Sequence, residues 1–426
     1  MFLLRKGGDT MGRVILHVDA NHFYAAVEIV YAPELRNKPV IVGGDVEKRH
    51  GIVLTKNPIA KKYGIETGEA LWQAKQKCPG LVCIPPNYPL YIRFSARMHR
   101  LFEEYSDKVE SFGLDEAFID LTQPGMDIVE GERIAHEIRT RVKERLGITV
   151  SVGVSFNKVF AKLGSDMRKP DAVTVIPEET FRERIWRLPA SDLLYVGRST
   201  SRRLKQINVY TIGDLATVDM GLLKLTRLGK NGLILKAYAN GLDNSPVMPT
   251  GYQMAIKSVG NSATPPHDLI CIRDVKCLFY LLSEAVATRL RQNGFRARRV
   301  SISVRSTTLV STSHQMTLRQ PTNIADEIAQ AAMQLFNERY ANAYPFRSAG
   351  ISCSLLSPDT DPVQLDYLGD EEHRMRLESL ESALDGVRSR FGQRIVQRGI
   401  VLTDTDYAQI NPVDDHTIHP VAFYTG

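Results

Sequence analysis

The feature that most constrains the fold is a switch of hydrophobic period between residues 253 and 356. The spacing predicts a strand over Met254–Val259, a helix over Asp274–Asn293 and strands over Val300–Arg305 and Gln315–Arg319. A helix over Asn323–Tyr340 and a strand over Ala349–Leu356 complete the series. This β-α-β-β-α-β order is that of a ferredoxin-like unit, whose two helices cover one face of a four-stranded sheet. Val300, Ile302 and Val304 fall on one strand face, opposite Ser301, Ser303 and Arg305; Ile351, Cys353 and Leu355 alternate with Ser352 and Ser354. With the apolar face under the helices, small hydroxyls and an arginine are left outside. Such a face can lie on a sugar-phosphate backbone, the hydroxyls donating to phosphate oxygens and Arg305 adding charge. A merely solvated sheet face is the alternative, and the neighbouring Arg296, Arg298 and Arg299 favour nucleic acid.

The segment before this unit alternates strands and helices. Arg13–Asp19 is an apolar run of strand length that ends in a carboxylate and leads into a helix from Ala20 to Glu28. Glycines and prolines punctuate the next stretch, to Pro89, around short strands at Pro39–Gly43 and Gly51–Thr55 and a helix near Ile59–Tyr63. A helix near Tyr91–Tyr105 precedes Lys108–Thr122, read as a hairpin turning near Gly113 with Asp115 and Glu116 at the top of the returning strand. A helix over Asp127–Arg145, a strand over Ile148–Val154 and a helix from Asn157 complete a first α+β domain. Between about Pro189 and Gly241, short helical pieces broken by glycine suggest a small helical module.

With 426 residues, 43% of them hydrophobic, the chain can form two to four compact domains. Five cysteines without CxxC spacing favour neither a disulfide framework nor a zinc site. The apolar patch at the start is too short for a signal peptide, so a soluble cytoplasmic protein is expected. Charge is unevenly distributed. Residues 253–356 carry twelve basic against six acidic side chains, and residues 357–426 six against thirteen. A basic body with an acidic tail suggests a polyanion-binding surface and a segment that stays off the polyanion.

Asp19 and the pair Asp115-Glu116 stand at strand ends in separate segments, and a sheet pairing those strands gathers three carboxylates at one edge. Mg²⁺ takes oxygen ligands, commonly carboxylates plus substrate phosphates. Two-metal phosphoryl transfer needs carboxylates that bridge both ions and one that holds the nucleophile-side ion. Acidic residues also cap helices and sheet edges, so the pair alone does not decide the chemistry.

Three runs carry a resemblance. Residues 14–28 (VILHVDANHFYAAVE), 111–122 (SFGLDEAFIDLT) and 155–170 (SFNKVFAKLGSDMRKP) resemble, in order and spacing, the catalytic motifs of the Y-family translesion DNA polymerases. The likeness extends from about Gly12 to Phe391 and is nearer the bacterial than the eukaryotic members. It implies an α+β multidomain fold shaped as a right hand. A ferredoxin-like palm would comprise residues 11–32 and 90–188, small fingers 33–89, a helix-hairpin-helix thumb 189–243 and a β-α-β-β-α-β little finger 253–356, followed by an acidic tail, 357–426. The implied activity is DNA-dependent DNA synthesis past lesions, of low fidelity and without proofreading, on primer-template DNA and deoxynucleoside triphosphates with two Mg²⁺ ions.

Carried over by position, the resemblance implies that Asp19, Asp115 and Glu116 are catalytic and that Asp19, Ala20 (through its carbonyl), Asp115 and Glu116 bind metal. Tyr24 becomes the steric gate, a ring that leaves no room for a 2′-hydroxyl. Read from the residues alone, Phe23 and Tyr24 are core aromatics of a first helical turn. Phe23, Thr55, Lys61 and Lys169 fall at triphosphate-binding positions, Lys61 replacing a more common arginine. Pro58 departs from the family, standing where bacterial members have a phosphate-contacting tyrosine. In the thumb the usual Gly-hydrophobic-Gly is Tyr195-Val196-Gly197, so Gly197 alone is retained for DNA; Arg296, Arg298, Arg299, Ser301, Ser303 and Arg305 are the expected DNA contacts of the little finger.

Within the tail, Gln364, Leu365, Tyr367 and Leu368 belong to a stretch that resembles the bacterial sliding-clamp pentapeptide, making the clamp an expected partner. An ordinary linker is the alternative. An accessory subunit is left open, no membrane partner is expected, and the helix from about Glu371 to Phe391 has no assigned role. Two rival readings are a catalytically inactive relative acting as a DNA- and clamp-binding adaptor, and a nucleotide cyclase, which lacks a thumb and little finger.

Overall fold

The computed structural model describes residues 12–44, 51–340, 343–362 and 371–411. The chain divides after Gln253 into two compact units, each with its own core.

The first unit begins with β1 (Ile15–Ala20) and α1 (Phe23–Tyr31). A small sheet follows, built from β2 (Val40–Gly43), β3 (Val53–Lys56) and a later strand, with α2 (Pro58–Lys62) and α3 (Leu71–Lys77) between them and β4 (Val82–Ile84) closing it in the order β3-β2-β4. Next come α4 (Tyr88–Glu103), the hairpin of β5 (Val109–Ser111) and β6 (Glu116–Asp120), α5 (Ile128–Leu146), β7 (Val150–Ser155), α6 (Lys158–Met167) and β8 (Val173–Ile176). The main sheet has the order β5-β6-β1-β7-β8, with β1 central and antiparallel to β6 and β7.

Central position explains why β1 is buried on both faces. Its even residues Leu16, Val18 and Ala20 join the core formed with α1, α4 and α5. Its odd residues Ile15, His17 and Asp19 face the other side, where α6 lies. Gly153 of β7 makes that seating possible: a Cβ there would sit 1.9 Å from the Ala161 carbonyl oxygen. Local signals fix the helix ends. Asp127 caps α5 by accepting from the Glu130 N–H, Gly147 ends it at φ 71°, and Asn157 caps α6 through the Phe160 N–H. The unit ends in five short helices, α7 (Phe181–Ile185), α8 (Arg198–Lys205), α9 (Ile212–Thr217), α10 (Met220–Leu225) and α11 (Lys230–Ala239), around a core containing Leu204, Ile212, Leu215 and Leu235.

The second unit contains β9 (Ser258–Ala263), α12 (Ile272–Gln292), β10 (Phe295–Ser306), β11 (Ser311–Thr322), α13 (Ala325–Tyr340) and β12 (Phe346–Pro358), with sheet order β11-β10-β12-β9. The β-α-β-β-α-β order is as the periodicity predicts, with two local differences. The first strand starts at Ser258 rather than Met254, because β12 offers it partners only from Ser354 to Ala349; Met254 and Ile256 stay exposed. Leu355 leaves the apolar face: it adopts a left-handed φ of 54° and is 49% exposed, so strict alternation ends at Cys353.

Residues 371–411 of the acidic tail fold onto this same unit. Helix α14 (Glu371–Phe391) has its acids paired with cations of α12 and its arginines with acids of α12 and α13. Arg291 meets Glu381 and Asp385, Arg374 meets Glu327, and Arg388 meets Glu284. Val401 and Tyr407, the latter in α15 (Thr405–Gln409), are each 1% exposed in the unit's apolar core. Glu381 and Asp385 of the tail are therefore engaged by a cation of their own unit. The clamp-like residues Gln364, Leu365, Tyr367 and Leu368 lie outside the described residues.

Candidate active site

Register brings the expected acids together. Asp19 of β1 pairs with Glu116 of β6, and the Ala20 N–H donates to the Asp115 carbonyl at 2.9 Å. Asp19, an odd residue of β1, faces α6, from which Lys162 reaches it: Nζ lies 3.1 Å from Asp19 Oδ2, 2.8 Å from Glu116 Oε2 and 3.5 Å from Asp166 Oδ2. Lys169 lies 2.9 Å from Asp19 Oδ1 and 2.8 Å from Asp166 Oδ1. Beneath them, His17 is fully buried between Phe112 and Phe118, with Nε2 3.2 Å from Glu116 Oε2 and Nδ1 2.8 Å from Ser165 Oγ. Ser165 donates its own proton to the Lys162 carbonyl, so its hydroxyl oxygen accepts from His17.

The electrostatics of the three acids differ. Burial, then the charges of Glu116 and Asp19, push Asp115 up to about 7; neither lysine pairs with it. Burial also raises Asp19, against the pull of Lys162 and Lys169. For Glu116, burial alone acts upward but is outweighed by the approach of His17 and the Lys162 charge, which take it down to about 2. Burial lowers His17, against the upward pull of the neighbouring Glu116 carboxylate.

The donor set fits a hard cation. All the acidic ligands are oxygens. Among the described residues no cation pairs with Asp115, so the cluster retains capacity for positive charge there. A separate group, His267, Asp404 and Asp406, has ligand atoms within 4.8 Å of one another but belongs to the second unit, where Asp404 caps α15 through the Asp406 and Tyr407 N–H groups.

Tyr24 sits in the first turn of α1, half buried. Its ring stacks on Tyr91 at 4.4 Å and 15°, and Tyr88 meets it edge-on at 6.0 Å. Tyr91 Oη donates to Glu28 Oε1 at 2.6 Å, fixing the stack. Burial, with the nearby Asp115 charge, raises the Tyr24 phenol to about 12. Phe23 is 2% exposed, its ring in the core, so contact with a triphosphate is left to its backbone. Thr55 lies on β3 and Lys61, exposed, on α2. Pro58 has a local reason: it opens α2 behind the Asn57 cap, a position that suits proline's fixed φ and absent N–H. Lys169 is held by its loop, in which Asp171 pairs with Arg139 and Lys143 and donates its N–H to Asn21 Oδ1.

Gly197 caps α8, and a Cβ there meets nothing within 4 Å, so folding does not demand glycine. Tyr195 carries φ 69°, a glycine conformation without glycine. On β10, Ser303 and Arg305 are exposed, while Ser301 and Arg299 are half-buried. Arg298 is exposed and donates to the Leu318 carbonyl. Arg296 is engaged by the Asp359 carbonyl and Glu378 of α14, so it is less free than its sequence neighbours suggest.

Motif reading misses Lys162, Asp166, His17, Ser165 and Asn21. The signal was present in two places: Lys162 and Asp166 are four apart on a helix that also leads to Lys169, and His17 is two before Asp19, hence on the same strand face.

The sequence profile of the impB/mucB/samB family matches residues 18–166, and that of the family's C-terminal domain matches residues 256–367. The DNA polymerase IV of Acetivibrio thermocellus is 49% identical over 394 residues, covering 92% of this chain and 98% of that protein. The chain belongs to the impB/mucB/samB family. Within this family, the DNA polymerase IV of Pelotomaculum thermopropionicum is 37% identical (91% and 95% coverage), and DNA polymerase IV 1 of Bacillus subtilis 34% (92% and 93%). A solved Y-family DNA polymerase chimera superimposes with a TM-score of 0.70 at 24% identity, covering 80% of this chain and 98% of its own, in agreement with the multidomain polymerase fold expected for the family. Polymerases of the family depend on metal. Among the described residues, no helix is long and apolar enough to cross a membrane.

Proposed function

We propose that Asp19, Asp115 and Glu116, with the Ala20 carbonyl, hold two Mg²⁺ ions and carry nucleotidyl transfer in this chain. The activity itself is that of the family: the chain is a DNA-directed DNA polymerase of the translesion class, acting on DNA and deoxynucleoside triphosphates. The observation that carries the residue assignment is the pairing of Asp19 with Glu116 on adjacent central strands, beside Asp115 and under two lysines.

The ions that these residues would hold would supply Lewis-acid activation of the primer 3′-hydroxyl and charge stabilisation for the departing pyrophosphate. The protein's own groups orient the reactants. Lys169, on an anchored loop, offers its ammonium to the triphosphate, joined by the Thr55 hydroxyl, Lys61 and the backbone at Phe23. With a proline at position 58, that grip lacks a tyrosine hydroxyl. Tyr24, backed by Tyr91, blocks a 2′-hydroxyl by steric clash. The open space at Gly197 suits close approach of a DNA backbone, and Arg298, Arg299, Ser301, Ser303 and Arg305 supply phosphate contacts from the second unit, with Arg296 contributing less. Gln364, Leu365, Tyr367 and Leu368 are the proposed contact with a bacterial sliding clamp, supported by their likeness to its pentapeptide. Action in the cytoplasm, with or without an accessory subunit, completes the reading.

Primer extension on undamaged template tests it. The Asp115→Ala, Glu116→Ala double variant is expected to lose at least about 100-fold in rate while still binding primer-template; extension at the wild-type rate would remove these acids from the mechanism.

A further inference from the structure

Lys162 has no assigned part in the reaction, yet it touches more of the acid cluster than any other cation described. It leaves α6 on the side that covers the odd face of β1, and its side chain is only 13% exposed. The ammonium lies between Asp19 Oδ2 at 3.1 Å and Glu116 Oε2 at 2.8 Å. These are oxygens of the two acids that a metal shared by β1 and β6 would use. Mg²⁺ binds oxygen at about 2.0–2.1 Å, so an ion held by both atoms and an ammonium resting on both cannot coexist there.

The two lysines of the site are not equivalent. Lys169 is more open, 34% exposed, and divides its contacts between Asp19 and Asp166, so an arriving triphosphate can draw it away. Lys162 is deeper. Behind it, Ser165 donates to the Lys162 carbonyl and accepts from His17, which itself backs Glu116. Lys158, one turn earlier, is committed elsewhere: it pairs with Glu110 and lies over the Phe118 ring. Lys162 is thus the one cation of α6 directed at the Asp19–Glu116 junction.

We propose that Lys162 is a positioning residue acting as a resident counter-cation: in the nucleotide-free enzyme it holds the facing oxygens of Asp19 and Glu116 and competes with a divalent ion for that place. Metal then binds weakly to the protein alone, and its full complement forms when nucleotide brings phosphate oxygens as further ligands. This rests on the assignment of Asp19 and Glu116 as metal ligands. Removing the ammonium abolishes both the competitor and a repulsive charge within contact range of the incoming ion.

The test is Mn²⁺ binding to the protein without DNA or nucleotide, followed by calorimetry and by the spin-resonance signal of free Mn²⁺. Lys162→Met is expected to bind Mn²⁺ at least about tenfold more tightly than wild type, and Lys162→Arg, which keeps the charge, to stay near wild type. The Mg²⁺ concentration for half-maximal extension should fall in the Met variant while its maximal rate falls too, since Glu116 loses its anchor. A purely structural lysine predicts the reverse, weaker metal binding after truncation. Unchanged or weaker Mn²⁺ binding by a folded Lys162→Met overturns the proposal; should that variant not fold, Lys162→Ala, neutral and too short to reach either oxygen, decides on the same criterion. Asp19→Asn separates the two assignments: if it binds Mn²⁺ as wild type does, the metal site itself is wrongly placed, whereas lost binding there with no tightening in the lysine variants defeats only the role of Lys162.

Discussion

Asp115 shows what the unpaired corner of the cluster does at the scale of one residue. Without metal its carboxyl is held at about 7, against an ordinary value of 3.8. Between those limits the folded protein binds a proton that the unfolded chain does not. Its contribution to stability is therefore complete below about pH 4 and is lost as pH rises through 7. In chelator, Asp115→Asn, which cannot ionise, should lose that part of the pH slope. It should gain on wild type steadily from pH 4 to 7 and by a constant amount above, of the order of a few kcal/mol. Denaturant unfolding at pH 5, 6, 7 and 8 measures the difference, and parallel curves for the two proteins would contradict the assignment. The acids themselves were legible as carboxylates at strand ends. Lys162 was not, because a lysine on an amphipathic helix reads as a solvated side chain; only the seating of α6 on Gly153 directs it inward.

At the scale of elements, most boundaries follow from period and caps, and the exceptions are positions where backbone and sequence disagree. Leu355 is a branched residue with a left-handed φ, so alternation predicts it inside and the chain turns it out. The start of β9 depends on how far β12 extends as a partner, which no local pattern encodes. Tyr195 is the same kind of disagreement in the helical module. It holds φ 69° just before α8 and is 63% exposed, so its side chain recovers little of the steric cost through burial. Its ring lies 6.4 Å from that of Tyr238, a loose contact. Tyr195→Gly should stabilise the first unit by about 1 kcal/mol, read as a rise in denaturation midpoint. Tyr195→Ala, which retains a Cβ, should give none of this gain; an equal gain for both would trace the effect to the ring rather than the backbone.

For the molecule as a whole, the decisive fact is that each unit has its own core and that the tail belongs to the second. Charge counting separates residues 357–426 from the basic body, and it cannot detect that the acids of α14 match arginines of α12 and β10 while its own arginines match acids of α12 and α13. Glu381 concentrates that pairing: one oxygen meets Arg291 and the other accepts the Ala325 N–H at the start of α13 at 2.7 Å. Both side chains of this pair are nearly buried, so removing one leaves the other's charge and a helix-end donor without full compensation. Glu381→Ala is expected to destabilise the second unit by about 3 kcal/mol. Amide exchange should then accelerate in α12, α13 and α14 and stay unchanged in β1, β6 and β7. Because the acids of the first unit share no core residue with α14, Mn²⁺ affinity of the nucleotide-free protein should equal that of wild type. A loss of protection extending into the main sheet would mean that the two units unfold as one, and the independence argued from their separate cores would not hold.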